Sequence, residues 1–78
     1  MYSVESWEGY NILKEDSINT VNIWEIAEVK LVEKDGVQYI FGITNNANMT
    51  WWNGYKLKKE YANEDLFDLF DFYQELNV

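Results

Sequence analysis

The residues best equipped for chemistry are carboxylates. The segment NEDLFDLFDFYQELNV, residues 63 to 78, carries Glu64, Asp65, Asp68, Asp71 and Glu75 interleaved with aromatic residues. Close carboxylates can act as an acid and base pair, bind a hard cation, or present fixed negative charge to a basic partner. Glycoside hydrolysis needs two carboxyl groups across a cleft, for which a 78-residue chain has little room. A calcium loop needs alternating oxygen ligands around a central Gly, and acids at 64, 65, 68, 71 and 75 do not follow that pattern. Neighbouring carboxylates alone would hold divalent cations only weakly and without specificity.

The rest of the inventory points the same way. With no His and no Cys, the commonest general base, the Ser-His and Cys-His nucleophile pairs and the transition-metal sites lack their residues. Glycines at 9, 36, 42 and 54 are scattered and form no phosphate-cradling loop. The expectation is a protein that is not an enzyme, with no cofactor and no metal site.

Charge narrows the partners. Fourteen acidic residues against six Lys and no Arg give a formal net charge of −8. Direct nucleic-acid binding requires clustered cations that displace counterions, so DNA and RNA are excluded as direct ligands, and a basic protein surface is the natural counterpart. No apolar run is long enough to span a bilayer, and MYSVESWEGY lacks the basic and apolar regions of a signal peptide, so a cytoplasmic location and no membrane partner are expected.

The chain length suits a single domain, residues 1–78, with one small core. Without Cys, apolar burial must hold it, and four Trp, six Tyr and four Phe supply the area. In AEVKLVEKDGVQYIFGI, residues 27 to 43, two strand-like runs flank Lys34-Asp35-Gly36. A three-residue loop with Gly36 left-handed would pair Ala27, Val29 and Leu31 with Ile43, Phe41 and Tyr39, collecting apolar residues on one face. A two-residue loop would set Lys30 and Glu28 opposite Phe41 and Ile43 and mix the faces, so the first register is preferred. Upstream, residues 9–14 and 17–24 suggest one or two strands with a turn at Glu15-Asp16, while the first six residues could begin a helix at Ser3. Residues 45–48 read as a loop. Asn53-Gly54 suggests a hairpin turn pairing Trp52 with Tyr55 and Trp51 with Lys56, with strand preferred over a helix from Thr50.

The C-terminal segment has helical period. Asn63 suits an N-cap, and Leu66, Leu69, Phe70, Tyr73 and Leu76 form one apolar stripe. The predicted fold is therefore α+β, a small twisted antiparallel sheet of three to five short strands covered by one C-terminal amphipathic helix.

On that helix Glu64, Asp68, Asp71 and Glu75 would form a stripe about 16 Å long at 1.5 Å per residue. Like charges at these spacings cost about 0.2–0.5 kcal/mol per pair, and Glu75 opposes the helix dipole. One explanation is a solvated helix face partly neutralised by Lys56, Lys58 and Lys59. The other is an anionic ridge for a basic partner, flanked by Phe67 and Phe72. A second candidate patch contains Trp51, Trp52 and Tyr55, where an exposed ring could anchor an interface.

These features favour a small inhibitor that occupies the nucleic-acid-binding surface of a DNA- or RNA-processing protein. The expected contact set is Glu64, Asp65, Asp68, Asp71, Glu75, Phe72 and Trp51. In size, charge and composition the chain resembles the small acidic anti-defence proteins of bacteriophages, among them anti-restriction, anti-CRISPR and glycosylase-inhibitor proteins; it matches none of them in a residue motif. The alternatives are a regulatory module that self-associates, for example as a homodimer, and a carbohydrate or small-ligand binder using Trp51 to Tyr55.

Overall fold

The computed structural model describes residues 1–61 and 64–78. Its elements are β1 (Tyr2–Val4), β2 (Asn11–Ser17), β3 (Ile26–Lys34), β4 (Val37–Thr44), β5 (Trp52–Lys56) and α1 (Leu66–Leu76). Five strands make one sheet in the order β1-β5-β4-β3-β2, antiparallel throughout, and α1 lies on one face. The expected α+β architecture holds.

The central hairpin takes the register that the apolar pattern argued against. Asp35 (φ +52) and Gly36 (φ +79) form a two-residue turn, with Lys34 opposite Val37 and Leu31 opposite Ile40. Two consecutive left-handed residues match the right-handed twist of the flanking strands, which a type I turn does not. Lys30 thus faces Phe41 and Glu28 faces Ile43. The preference for a three-residue loop assumed one covered face, whereas this sheet is covered on both.

On the helix side, Val29, Leu31, Ile40, Tyr55 and Leu57 pack against Leu66, Leu69, Phe70 and Tyr73. On the other side, Val32 and Phe41 are fully buried. Trp7 and Tyr10, from the β1–β2 connection, meet Phe41 edge to face with ring centroids 5.5 and 5.9 Å away, and Trp7 meets Trp52 at 5.2 Å. Such edge-to-face pairs set the positive ring edge against the negative face of a neighbour. Lys30 is buried among them, its ammonium 5.1 Å from the Trp52 ring centroid and 5.9 Å from that of Trp7. It donates hydrogen bonds to Glu15 and Glu28. A lysine in this register is tolerated because its stem lies in an aromatic setting and its charge is paired.

Asn53-Gly54 is no turn. Both residues lie inside β5, and Gly54 faces Phe41 in the ladder. A Cβ on Gly54 would stand 2.2 Å from the Ile40 carbonyl oxygen and 2.5 Å from Phe41 Cδ1, so glycine is present for close approach, not for a left-handed bend. The strand preference for this segment was right, but Trp52 and Tyr55 consequently occupy opposite faces, against Trp7 and Phe70 respectively.

Three other expectations change. Residues 2–4 are strand rather than the start of a helix, and β2 runs straight through Glu15-Asp16. Residues 18–25 connect β2 to β3 outside any strand. The loop at 45–48 is as expected.

Candidate partner-binding surface

Helix α1 is begun by Asp65. Its backbone is extended (φ −63, ψ 129), and its carboxylate accepts from the amides of Phe67 and Asp68 at 2.9 and 3.1 Å. Such a cap satisfies donors that have no partner inside the helix. Asn63, the expected cap, lies outside the described residues, and Glu64 precedes the helix. Four members of the apolar stripe, Leu66, Leu69, Phe70 and Tyr73, are buried, whereas Leu76 is half exposed. The Tyr73 hydroxyl accepts from the Lys58 amide at 2.9 Å and shares a 3.0 Å hydrogen bond with Tyr61, tying the helix to the segment that follows β5.

Anchoring that stripe turns Asp68, Asp71 and Glu75 outward, all three exposed. At 1.5 Å per residue they form a ridge about 10 Å long. It is shorter than the sequence suggested because Glu64 is not helical. Among the described residues no lysine pairs with any of these three carboxylates. Among the described residues Lys56, Lys58 and Lys59 form no ion pair with the ridge, although Lys59, standing over the Tyr61 ring at 5.3 Å, shares a groove with Asp68.

Two open grooves flank the head of the ridge, with Asp65 common to both. One, of about 380 Å³, is lined by Glu64, Asp65, Asp68 and Phe72 together with Lys59, Tyr61 and Leu69. The other, of about 570 Å³, is lined by Asp16, Ile18, Glu25, Ile26, Asp65, Phe67 and Asp71. Phe72 is half exposed and meets Tyr73 edge to face at 5.4 Å, whereas Phe67 is partly buried against the core.

Of the expected contact residues, Glu64, Asp65, Asp68 and Phe72 line one groove, and Asp71 joins Asp65 in the other. Glu75 lies one turn farther along the helix. Trp51 is half exposed in the β4–β5 connection and lines neither groove. Sequence reasoning missed Asp16 and Glu25, which come from β2 and the β2–β3 connection and reach the ridge only through the topology of the sheet.

Three groups show shifted ionisation: Lys30, Tyr61 and Tyr39, the last raised by burial and by the neighbouring Tyr2, Tyr10 and Asp35. Burial alone would lower the Lys30 pKa, but its hydrogen bonds to Glu15 and Glu28 and their charges outweigh burial and raise it. The hydrogen bond to Tyr73, with a contribution from burial, pushes Tyr61 up to about 12. Among the described residues no three acidic groups converge as metal ligands, and no helix is long and apolar enough to cross a membrane. No protein-family model, curated protein or solved structure matches the chain.

Proposed function

We propose that this protein is a small acidic inhibitor that binds the nucleic-acid-contacting surface of a basic DNA- or RNA-processing protein, in the manner of phage or mobile-element anti-defence factors. The supporting observation is the outward ridge of Asp68, Asp71 and Glu75, exposed and unpaired with lysine among the described residues. Their axial spacing is about 5 Å per charge, against about 3.4 Å per phosphate along one DNA strand. The ridge is thus spaced about half again as widely as a phosphate strand, a difference that long, flexible Lys and Arg side chains can span. The net charge of −8 would steer encounter with such a partner, and paired carboxylates would then exclude its substrate sterically.

The test uses the immobilised protein and its Asp68→Lys/Asp71→Lys variant to capture proteins from a lysate of the source cell at low salt. The expected result is a nucleic-acid-binding enzyme retained by the parent chain, released by salt and by a short DNA duplex, and absent from the variant eluate. Equal capture by both chains with the same salt dependence would sink the proposal. So would a set of captured proteins that do not bind nucleic acid.

A further inference from the structure

The β2–β3 connection, residues 18–25, is the segment that core packing explains least. Val21 is 100% exposed and Trp24 76%, while Ile18 and Ile23 are nearly half exposed. The backbone carrying them is nevertheless pinned. The amides of Asn22 and Trp24 donate to Thr20 Oγ1 and Asn22 Oδ1 at 3.1 and 3.0 Å, and the Glu25 amide donates to the Asn22 carbonyl at 3.2 Å. From the β4–β5 connection, Asn45 donates its side-chain amide to the Thr20 carbonyl at 2.6 Å and its backbone amide to the Glu25 carbonyl at 3.0 Å. The apolar side chains are thus held in water by an ordered loop instead of folding down onto the sheet.

This loop is continuous with the acidic surface. Ile18 and Glu25, at its two ends, line the larger groove beside α1, where Asp16, Asp65 and Asp71 contribute three more carboxylates and no lysine is among the described lining residues. Exposed charge alone makes a weak complex at physiological salt, because screening reduces it within about 8 Å. Affinity in such interfaces comes chiefly from a few buried aromatic or otherwise desolvated anchors, and ordering the anchor beforehand lowers the entropy lost on binding.

We propose that the 18–25 loop is the apolar anchor of the binding surface, with Trp24 and Val21 entering an apolar pocket on a basic protein while that partner's Lys or Arg side chains lie against Asp16, Glu25, Asp65 and Asp71. The proposal rests on the basic-partner reading above and adds the contact that carboxylates cannot make. Charge complementarity selects the occupant. A second copy would bring another net −8 to the same groove, and an anionic bilayer would be repelled as well.

Two synthetic peptides of equal length and charge, one alternating Lys with Leu and one Lys with Ser, serve as probes. The parent chain binds the Lys/Leu peptide more tightly, on the order of tenfold. Val21→Ser/Trp24→Ser removes that preference and leaves the salt dependence unchanged, whereas Asp68→Lys/Asp71→Lys weakens both peptides and flattens the salt dependence. On the parent protein, which needs no substitution, amide shifts caused by the Lys/Leu peptide include residues 18–25 as well as α1. Full Lys/Leu preference in Val21→Ser/Trp24→Ser, or shifts confined to α1, would overturn the anchor while leaving the acidic ridge intact. If Asp68→Lys/Asp71→Lys has no effect but the loop variant does, the ridge reading fails instead. A concentration-dependent dimer that disappears in the loop variant would make a second copy the occupant, and Trp24-dependent binding to phosphatidylcholine vesicles would make it a membrane; either overturns the proposal.

Discussion

Glu75 tests whether the acidic ridge costs the fold anything. It is exposed in the last turn of α1, where no basic residue balances the terminal carbonyls, and it lies four residues after Asp71. A negative charge there opposes the helix dipole by about 0.3–1 kcal/mol, and the pair with Asp71 costs about 0.2–0.5 kcal/mol more. Glu75→Lys turns both penalties into comparable gains, in the favourable order of acid before base. The expected stabilisation is about 1–3 kcal/mol, toward the lower end at ordinary salt. Asp68→Lys makes the same change of net charge, −8 + 2 = −6. In the first turn, however, reversal costs about 0.6–2 kcal/mol of dipole interaction and returns about 0.4–1 kcal/mol by turning repulsion with Asp71 into attraction, so the net is a loss of up to about 1 kcal/mol. Urea denaturation followed by circular dichroism separates the two variants. Melting temperature should rise by roughly 4–8 °C per kcal/mol for Glu75→Lys, and the gain should shrink in about 1 M salt. Equal stabilisation by both substitutions would mean that net charge and not helix position matters. No gain from Glu75→Lys would remove the folding penalty from the case for function.

Other substitutions probe the packing. Gly54→Ala puts a Cβ against the Ile40 carbonyl and the buried Phe41 ring, so its cost should reach or exceed the upper end of about 1–3 kcal/mol for overpacking, measured by urea unfolding. Gly36→Val has open space and pays only for positive φ, about 1–3 kcal/mol by the same assay. Lys30→Met keeps an apolar stem against Trp7 and Trp52 and removes a buried charge whose partners are half exposed, so stability should change by less than about 1 kcal/mol. Lys30→Ala removes the stem as well and should cost more, about 2–3 kcal/mol in parallel thermal melts. Lys30 and Tyr61 both have raised pKa values in the folded state, so the stability each contributes is present below its unfolded value and lost as pH rises through the folded one. Unfolding midpoints should therefore fall from about pH 10 upward. Tyr61→Phe should remove a component near 12 from the tyrosinate absorbance curve.

The helix was legible because its information is local: Leu66, Leu69, Phe70 and Tyr73 share one face by period alone, and the outward acids follow. The central strands were legible as strands, but their register was not. Val29, Leu31 and Ile40 serve one layer while Val32, Tyr39 and Phe41 serve another, and a one-covered-face rule misreads such a pattern. Apolar residues at both parities of β3 and β4 were the available signal. Asn53-Gly54 failed for a different reason. Glycine answers equally to positive φ and to absence of a Cβ, and only the neighbouring Ile40 carbonyl and Phe41 ring decide between them. Asp16 and Glu25 could not be joined to Asp65 and Asp71 from sequence, because the groove they share is assembled by strand order.

Two-sided burial also bears on where a partner would sit. The face opposite the helix puts Lys30 and Lys34 over aromatic rings and pairs Lys30 with two carboxylates, so these two cations are already engaged within the chain. The helix side ends in exposed acids beside Phe72, and the 18–25 loop, which reaches the larger groove through Ile18 and Glu25, leaves Val21 and Trp24 in water. Burying Trp24 would have contributed about as much apolar area as any ring in the core. An ordered loop that holds it in water next to Glu25, at one end of the acidic groove, is hard to explain by folding alone. It is the arrangement expected where a basic surface supplies the missing cations and an apolar pocket supplies the missing core.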